Sequence, residues 1–182
     1  MKNIAQPIRD KDTVEEIKLF LKETNQRNYI MFLLGINAGL RISDLLKLRV
    51  KDVEGLYITM RENKTKDFIR IWIPTHVKKE LRKFTSGKPK LEFLFKSRQG
   101  RNSPISRNQA YNILKQVERE FNLECISTHT LRKTFGYHVY MDNKKDIALV
   151  QKLLNHESAE DTLRYIGIEQ DHMDNARRKL KL

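Results

Sequence analysis

Two pairs of side chains in this sequence have types and spacings that suit chemistry on a phosphate ester. Arg41 and Asp44 lie three residues apart, and His129 and Arg132 are separated by the same interval. Residues three apart share one face of a helix, so the imidazole and the guanidinium of the second pair point the same way. Two guanidiniums supply planar forks of donors that match phosphate oxygens. The pattern therefore predicts an anion site with a titratable imidazole beside it.

A third group of residues ends in a tyrosine. His156 follows Leu153-Leu154-Asn155, and Tyr165 comes nine residues after the histidine. A phenol titrates near 10, so Tyr165 would need a nearby base or concentrated positive charge to act as a nucleophile. Taken singly, each group has an ordinary explanation, such as a surface ion pair, a chance spacing or a tyrosine of the core. Only their joint order along the chain is informative.

The hydrophobic pattern predicts helices that would carry these residues. Capping boxes at Thr13 and Ser106 mark two helix starts, because a serine or threonine is followed three residues later by Glu or Gln. Apolar residues then recur at helical spacing through most of the chain. Further predicted helices cover residues 26–37, 42–48, 75–84, 128–141, 145–154, 158–163 and 171–182.

Three segments in the middle of the chain predict strands. Residues 56–60 and 68–73 are rich in β-branched and aromatic side chains and are joined by a short polar segment, which predicts a hairpin with a basic tip. Residues 91–95 predict a third strand. The fold class is therefore predicted as α+β, mostly α-helical, with a small antiparallel three-stranded sheet.

Length and charge limit the kind of protein this is. The 182 residues suffice for one domain with a real core. Lys and Arg number 36 against 23 Asp and Glu, a net charge of +13 that favours a polyanionic partner through counterion release. No apolar run reaches the roughly 20 residues needed to span a bilayer, so no membrane partner is expected. The single Cys125 can form no internal disulfide, which favours a reducing cytosol.

The two pairs and the group that ends in Tyr165, in their order along the chain, resemble the catalytic domain of the tyrosine recombinase (phage integrase) family. The family pattern is an arginine in a GLRxSEL-like turn, a lysine in a β-hairpin, His-x-x-Arg, LGH, and a tyrosine about nine residues later. The resemblance runs from about residue 14 to residue 168. The matching positions here are Arg41, Lys64, His129, Arg132, His156 and Tyr165.

The sequence departs from the family pattern at two of the positions beside these residues. Asn155 stands where glycine is usual, and asparagine tolerates the left-handed backbone that glycine adopts. Asp44 stands where glutamate is frequent and keeps the carboxylate, which is expected to support the helix that carries Arg41. Lys66 competes with Lys64 for the hairpin position, but Asn63-Lys64-Thr65 resembles the SKT turn of phage integrases and favours Lys64.

The resemblance implies a mechanism that uses neither metal nor cofactor. In this family the tyrosine forms a 3′-phosphotyrosyl bond and releases a 5′-hydroxyl, and the bond energy is kept for rejoining. By the same resemblance, His129 accepts the phenol proton, and His156 donates a hydrogen bond to a nonbridging oxygen. Lys64 is the residue expected to protonate the departing 5′-oxygen. General-acid help of this kind contributes about 10²–10⁴-fold.

The resemblance also implies partners and boundaries. Double-stranded DNA is the expected partner, bound by four protomers that are monomers when free, with accessory DNA-bending proteins where needed. Residues 1–168 would form the catalytic domain, and residues 169–182 a tail that docks on its own domain or on a neighbour. Many members carry an additional N-terminal clamp domain, so we expect a naturally short member or a truncated one. Expected DNA contacts are Lys66, Arg101, Arg107 and Lys115.

The family resemblance is strongest for a site-specific recombinase of a prokaryotic nucleoid or a mobile element, acting in the cytoplasm. Two other functions remain open from the sequence. A non-catalytic DNA-binding regulator on the same scaffold would need the positive charge but not the whole set of catalytic positions. A type IB topoisomerase would share the chemistry.

Overall fold

The computed structural model describes residues 4–61 and 68–180 of the chain. A short 3₁₀ helix covers Val50–Val53, and strands β1 (Tyr57–Arg61) and β2 (Phe68–Trp72) pair as an antiparallel hairpin. The α-helices are α1 (Lys11–Thr24), α2 (Gln26–Ala38), α3 (Ile42–Leu45), α4 (Thr75–Thr85), α5 (Arg107–Glu120), α6 (Thr128–Asp142), α7 (Ile147–Leu153), α8 (Ala159–Ile166) and α9 (Ile168–Lys179).

Helix α2 lies at the centre of the main core because its side chains are apolar on nearly every face. Residues 29–34 are all buried, which requires packing partners all round the helix. Helices α1, α4 and α6 supply those partners. Gly35 lets α6 approach closely, since a Cβ there would lie 2.7 Å from the Leu131 side chain. The helix that carries the His129–Arg132 pair is thereby fixed against the centre of the fold.

The end of α2 determines where Arg41 lies. Gly39 caps the helix with a left-handed backbone at φ 62°, so the helix ends at Ala38, one residue beyond its predicted end. A Cβ on Gly39 would lie 2.4 Å from the Phe135 ring of α6, so the turn also has no room for a side chain at this position. The chain then continues into α3, and Arg41 is the residue directly before this helix.

Some predicted helix boundaries are wrong at their ends. Helix α1 begins before the predicted capping box at Thr13, because Asp10 caps it and accepts hydrogen bonds from the Thr13 N–H and hydroxyl. The predicted capping box of Ser106 and Gln109 is confirmed, with both of its hydrogen bonds present. Helix α8 continues beyond the predicted end near residue 163 and therefore carries Tyr165 in its last turn.

The predicted third strand is wrong, since the sheet has two strands within the described residues. The segment at 91–95 makes one isolated antiparallel bridge, between Phe93 and Arg49. Leu94 and Phe95 are adjacent and both fully buried in the main core. The backbone turns at these two residues, between the bridge at Phe93 and a second one that pairs Lys96 with Pro104, so no continuous strand forms.

The base of the hairpin is attached to helix α4. The buried Lys78 donates hydrogen bonds from its ammonium group to the carbonyls of Val53, Glu54 and Gly55. Residues 62–67, which include the hairpin tip, lie outside the described residues. The hairpin itself and its antiparallel pairing are confirmed.

A smaller core joins the last helices to α6. It contains Tyr140, Val150, Leu154, Ile166 and Ile168, and Gly136 of α6 allows the approach of α8. This cluster holds Tyr165 close to α6. None of the helices among residues 4–61 and 68–180 is both long and apolar enough to cross a membrane.

Candidate active site

Five of the six predicted catalytic side chains line one cleft of about 740 Å³. They come from the turn before α3, the first half of α6, the turn after α7 and the last turn of α8. The five are Arg41, His129, Arg132, His156 and Tyr165. The sixth, Lys64, and its competitor Lys66 lie outside the described residues.

Arg132 is the most deeply fixed of these side chains. It is 4% exposed, and its guanidinium donates to the Gly39 carbonyl at 2.5 Å and to the Leu154 carbonyl. These carbonyls lie at the ends of α2 and α7, where helix dipoles favour a positive charge. A third hydrogen bond joins Arg132 to the Tyr165 side chain. The guanidinium is thus oriented before any anion arrives.

Arg41 is half-buried and lines the same cleft as Arg132 and Tyr165. It precedes α3 with an extended backbone, φ −65° and ψ 144°, directed by the left-handed turn at Gly39. Asp44, on the same helix, is completely buried. The positive charge of Arg41 acts on both His129 and Tyr165.

Tyr165 is held as a neutral phenol in the resting site. Burial raises its pKa, while the charges of Arg132 and Arg41 and the hydrogen bond from Arg132 lower it. The net direction is upward, so proton removal must accompany attack. The two arginines are the groups that would favour the phenolate as it forms.

His156 packs its ring edge against the Tyr165 ring, with centroids 4.9 Å apart and an angle of 82° between the planes. Its Nδ1 lies 3.2 Å from the hydroxyl oxygen of Thr162. The Thr162 hydroxyl donates its only proton to the Ser158 carbonyl at 2.7 Å, so its oxygen accepts from the imidazole Nδ1–H. Thr162 therefore orients the ring.

The residue before His156 has the backbone that the sequence implied. Asn155 adopts φ 47°, in the left-handed region that glycine occupies without strain. Asparagine thus adopts here the left-handed backbone that the sequence analysis expected it to tolerate. The turn directs His156 into the cleft after α7 ends.

His129 lies in the first turn of α6, where its backbone N–H donates to the Ser127 hydroxyl. Its ring is exposed on one side. Burial of the other side lowers its pKa, and the charges of Lys133, Arg107, Arg132 and Arg41 lower it further. The imidazole is therefore neutral at neutral pH and able to accept a proton.

The proposed DNA contacts differ in their surroundings. Arg107 lines the cleft from the start of α5 and is exposed. Arg101 is exposed and does not line the cleft. Lys115 is bound by Glu118 in an ion pair. Among the described residues, no three His, Cys, Asp or Glu side chains lie together as a metal site.

Two residues of the site were missed at the level of sequence. Lys133 and Thr162 each touch a predicted catalytic residue, through the Tyr165 carbonyl and the His156 ring. The available signal was helical spacing: Thr162 is three residues before Tyr165 and so shares its helix face. Lys133 gave only the weak signal of a charge directly after Arg132 on a predicted helix.

The comparisons with known proteins show the family of the chain. A model of the phage integrase family matches residues 10–172. The probable integrase/recombinase YoeC of Bacillus subtilis is 48% identical over 170 residues, which cover 93% of this chain and 93% of that protein. Both observations concern most of the chain.

Solved structures share the fold at low identity. The crystal structure of XerA recombinase matches with a TM-score of 0.73 and 17% identity, over 100% of this chain and 66% of that chain. XerH site-specific recombinase bound to its difH substrate matches with a TM-score of 0.70 and 18% identity, over 97% of this chain and 53% of that one. The chain thus spans between half and two thirds of these structures, and its fold is that of their catalytic domains.

Proposed function

Because the chain belongs to the phage integrase family of tyrosine recombinases, we propose that it cleaves and rejoins DNA at specific sites through Tyr165. The observation that carries the proposal is the convergence of Arg41, His129, Arg132 and His156 around Tyr165 in one cleft. These residues come from three separate segments of the sequence, near residues 41, 130 and 160, and a surface that only binds DNA has no need to bring them together around a phenol.

The proposed reaction is an in-line displacement at phosphorus. The Tyr165 oxygen forms a bond to the phosphorus, and the bond to the 5′-oxygen breaks. The phenol proton passes to the neutral His129, and Lys64 gives a proton to the departing 5′-oxygen. The product is a 3′-phosphotyrosyl bond and a free 5′-hydroxyl, from which the reverse steps rejoin a strand.

Charge stabilisation is the proposed role of the arginines. The pentacoordinate phosphorus carries two negative charges, and the guanidiniums of Arg41 and Arg132 line the same cleft as the phenol and act on its charge. Arg132 is already held by two carbonyls, so it need not reorganise as charge develops. Loss of one such donor typically costs about 10²–10³-fold in rate. His156 adds a hydrogen bond to a nonbridging oxygen.

We propose double-stranded DNA as the partner, contacted in the cytoplasm of a prokaryote, at the nucleoid or on a mobile element. The net charge of +13 supports a polyanionic partner. XerH in the comparison is bound to its DNA substrate, which supports the same partner for this chain. Arg107, exposed at the edge of the cleft, is the best placed of the expected contacts.

The tail is proposed to dock on a neighbouring copy when four protomers assemble on two duplexes. Helix α9 buries Ile168 but exposes Met173, and Leu180 directly after the helix is exposed too, so its own domain covers little of the tail. An apolar cavity of about 950 Å³ lies between β2 and helices α6 and α7, with Trp72 and Leu153 on its wall. Accessory DNA-bending proteins belong to the same proposal.

A pair of substitutions tests the assembly. Changing Met173 and Leu180 together to Asp should leave cleavage by a single protomer intact while abolishing the four-protomer complex, measured by native gels and light scattering on DNA. The control changes the exposed His172 to Asp, on the same helix. A full complex with the double variant would show that the tail docks in cis.

The function is tested by mapping covalent protein–DNA adducts across the host genome. Wild-type protein should yield adducts at a few related sequences, and a nicked duplex with the recovered site should form the same adduct in vitro. Tyr165→Phe should form none. Equal adduct from both proteins would eliminate Tyr165 as the nucleophile.

The same experiments separate the two alternatives. Tight DNA binding without adduct on any nicked or supercoiled DNA would indicate a regulator. Relaxation of arbitrary supercoiled plasmid by substoichiometric protein would indicate a type IB topoisomerase. The convergence of five predicted catalytic side chains in one cleft favours a cleaving enzyme over a regulator. The plasmid relaxation assay separates a recombinase from a topoisomerase.

A further inference from the structure

Lys133 is a buried cation directly beside the proposed nucleophile. It is 6% exposed, lies one residue after Arg132 on α6, and lines the same cleft. Its ammonium nitrogen lies 2.6 Å from the Tyr165 carbonyl oxygen, to which it donates, and 4.8 Å from the centre of the Tyr165 ring. One side chain thus contacts both the backbone and the aromatic face of the same residue.

The backbone contact occurs where helix α8 needs a donor. The helix ends at Ile166, so the Tyr165 carbonyl is one of the last four, which lack an N–H partner within their own helix. A positive charge is also favoured at the negative end of the helix dipole. Gly167 then turns the chain with φ 84° into α9. Lys133 therefore fixes the last turn at the residue that must attack.

The N-terminal segment closes the other side of Lys133. The Ile8 N–H donates to the Thr134 hydroxyl at 2.9 Å, which attaches this segment to α6. Arg9 forms an ion pair with Asp171 of α9 at 2.8 Å. Arg9 thus brings a second positive charge near Lys133 and ties the start of α9 to the same place.

We propose that protonated Lys133 is a positioning residue for Tyr165, holding the last turn of α8 and stabilising the phenolate as its proton leaves. The inference rests on the proposed function of Tyr165 as nucleophile. A cation above an aromatic face is attracted to it, and the attraction grows when the ring becomes an anion. Lys133 neither takes nor gives a proton in the reaction.

The charge of Lys133 is set by its surroundings. Burial, followed by the positive charge of Arg9, lowers its pKa from the ordinary value to about 8. Lys133 is then protonated at neutral pH and loses its charge above about pH 8. Ionisable groups that share its cleft are Arg41, Arg107, His129, Arg132, His156, Glu157, Asp161, Arg164 and Tyr165, and Arg9 also acts on its charge.

The test measures single-turnover adduct formation between pH 6 and 10, on a nicked duplex carrying the site recovered with the wild-type protein. Sulfur replaces the bridging 5′-oxygen, because a thiolate leaves without a proton and the pH dependence of Lys64 is then removed. The proteins are wild type, Lys133→Met, Lys133→Arg and, as a control, Lys79→Met on the exposed side of α4.

Wild type should lose rate above about pH 8 as Lys133 is deprotonated. Lys133→Arg should stay active and keep its rate there, since a guanidinium does not titrate in this range. Lys133→Met should react about tenfold more slowly at neutral pH with unchanged DNA affinity, an effect of the size expected for a buried cation–π contact. Lys79→Met should behave as wild type.

Two results would overturn the inference. One is a Lys133→Met protein that is as fast as wild type, and the other is a rate decline above pH 8 that persists in Lys133→Arg. Absence of adduct from wild type itself would instead mark a failure of the proposed function, and the inference would fall with it.

A measurement without DNA tests the contact between Lys133 and Tyr165 directly, and it needs no Lys133 variant to fold. The NMR signals of the Lys133 terminal methylene should show an upfield ring-current shift in wild type and Tyr165→Phe, and should lose it in Tyr165→Leu. Signals that are the same in all three proteins would refute the contact on which the inference depends.

Discussion

At the scale of single residues, the cleft is organised by side chains that donate to backbone carbonyls or to hydroxyls. Arg132 is fixed by the Gly39 and Leu154 carbonyls, Lys133 by that of Tyr165, and His156 by the Thr162 hydroxyl. Such contacts hold the reacting groups before DNA binds, so less reorganisation is needed at the moment of reaction.

Thr162→Val tests the orientation of His156. Valine keeps the shape of the buried threonine but removes the acceptor of the imidazole Nδ1–H. We expect single-turnover adduct formation to slow about tenfold, the equivalent of one lost hydrogen bond. Thr162→Ser, which keeps the hydroxyl, should retain most of the rate. A valine variant with full activity would contradict the assigned role.

The lowered pKa of His129 gives a second prediction at this scale. Because burial and neighbouring cations disfavour the imidazolium, DNA-free His129 should titrate below the ordinary 6.5, measured by histidine NMR. The base form then persists as the pH falls, until the lowered pKa is reached. Arg107→Gln removes one of the cations and should move the midpoint upward. Arg101→Gln, away from the cleft, should not.

At the scale of elements, small residues set the distances between the helices that carry the site. Gly136 of α6 faces α8, and a Cβ there would lie 2.8 Å from Ile166 and 3.0 Å from Leu154. Ile166 directly follows Tyr165, the proposed nucleophile, and Leu154 supplies a carbonyl to Arg132. The position of Tyr165 relative to Arg132 therefore depends on this glycine.

Gly136→Ala should for this reason be destabilising, although alanine normally favours a helix over glycine. We expect a loss of about 1–3 kcal/mol in the free energy of unfolding, as for an overpacked core, and a slower cleavage step. Urea denaturation and single-turnover assays measure the two effects. Gly55→Ala is the control, since a Cβ there meets nothing closer than 3.7 Å. An unchanged Gly136→Ala protein would refute the close packing.

At the scale of the whole molecule, the excess of positive charge should control DNA affinity. The net charge is +13, and each phosphate contact adds about 0.9 to the slope of log affinity against log salt concentration. The relevant contacts are those with exposed charge at the cleft, rather than all cations of the surface.

Salt dependence distinguishes the expected DNA contacts. Arg107→Ala should lower the slope by about one, because its exposed guanidinium lies at the cleft. Lys115→Ala should change it little, because Glu118 already neutralises that ammonium. Fluorescence anisotropy on a duplex at several salt concentrations gives both slopes. Equal effects of the two changes would show that local ion pairing does not select the contacts.

Side-chain types and local patterns were enough to predict the catalytic chemistry and most of the helices and strands. Side-chain types and their order indicated Arg41, His129, Arg132, His156 and Tyr165, and apolar periodicity indicated the helices and the hairpin. These features are local, since a motif or a helical face is defined within a few residues. The family resemblance placed them on one domain, and the fold agrees.

The residues that hold the catalytic side chains in place could be identified only from contacts within the folded protein. Arg132 is 93 residues from Gly39, to whose carbonyl it donates, and Lys133 is 32 residues from Tyr165, to whose carbonyl it donates. No local pattern specifies such contacts, because they arise from how α2, α6 and α8 pack. The predicted third strand is likewise replaced by a turn at Leu94 and Phe95, between two isolated bridges that pair Phe93 with Arg49 and Lys96 with Pro104.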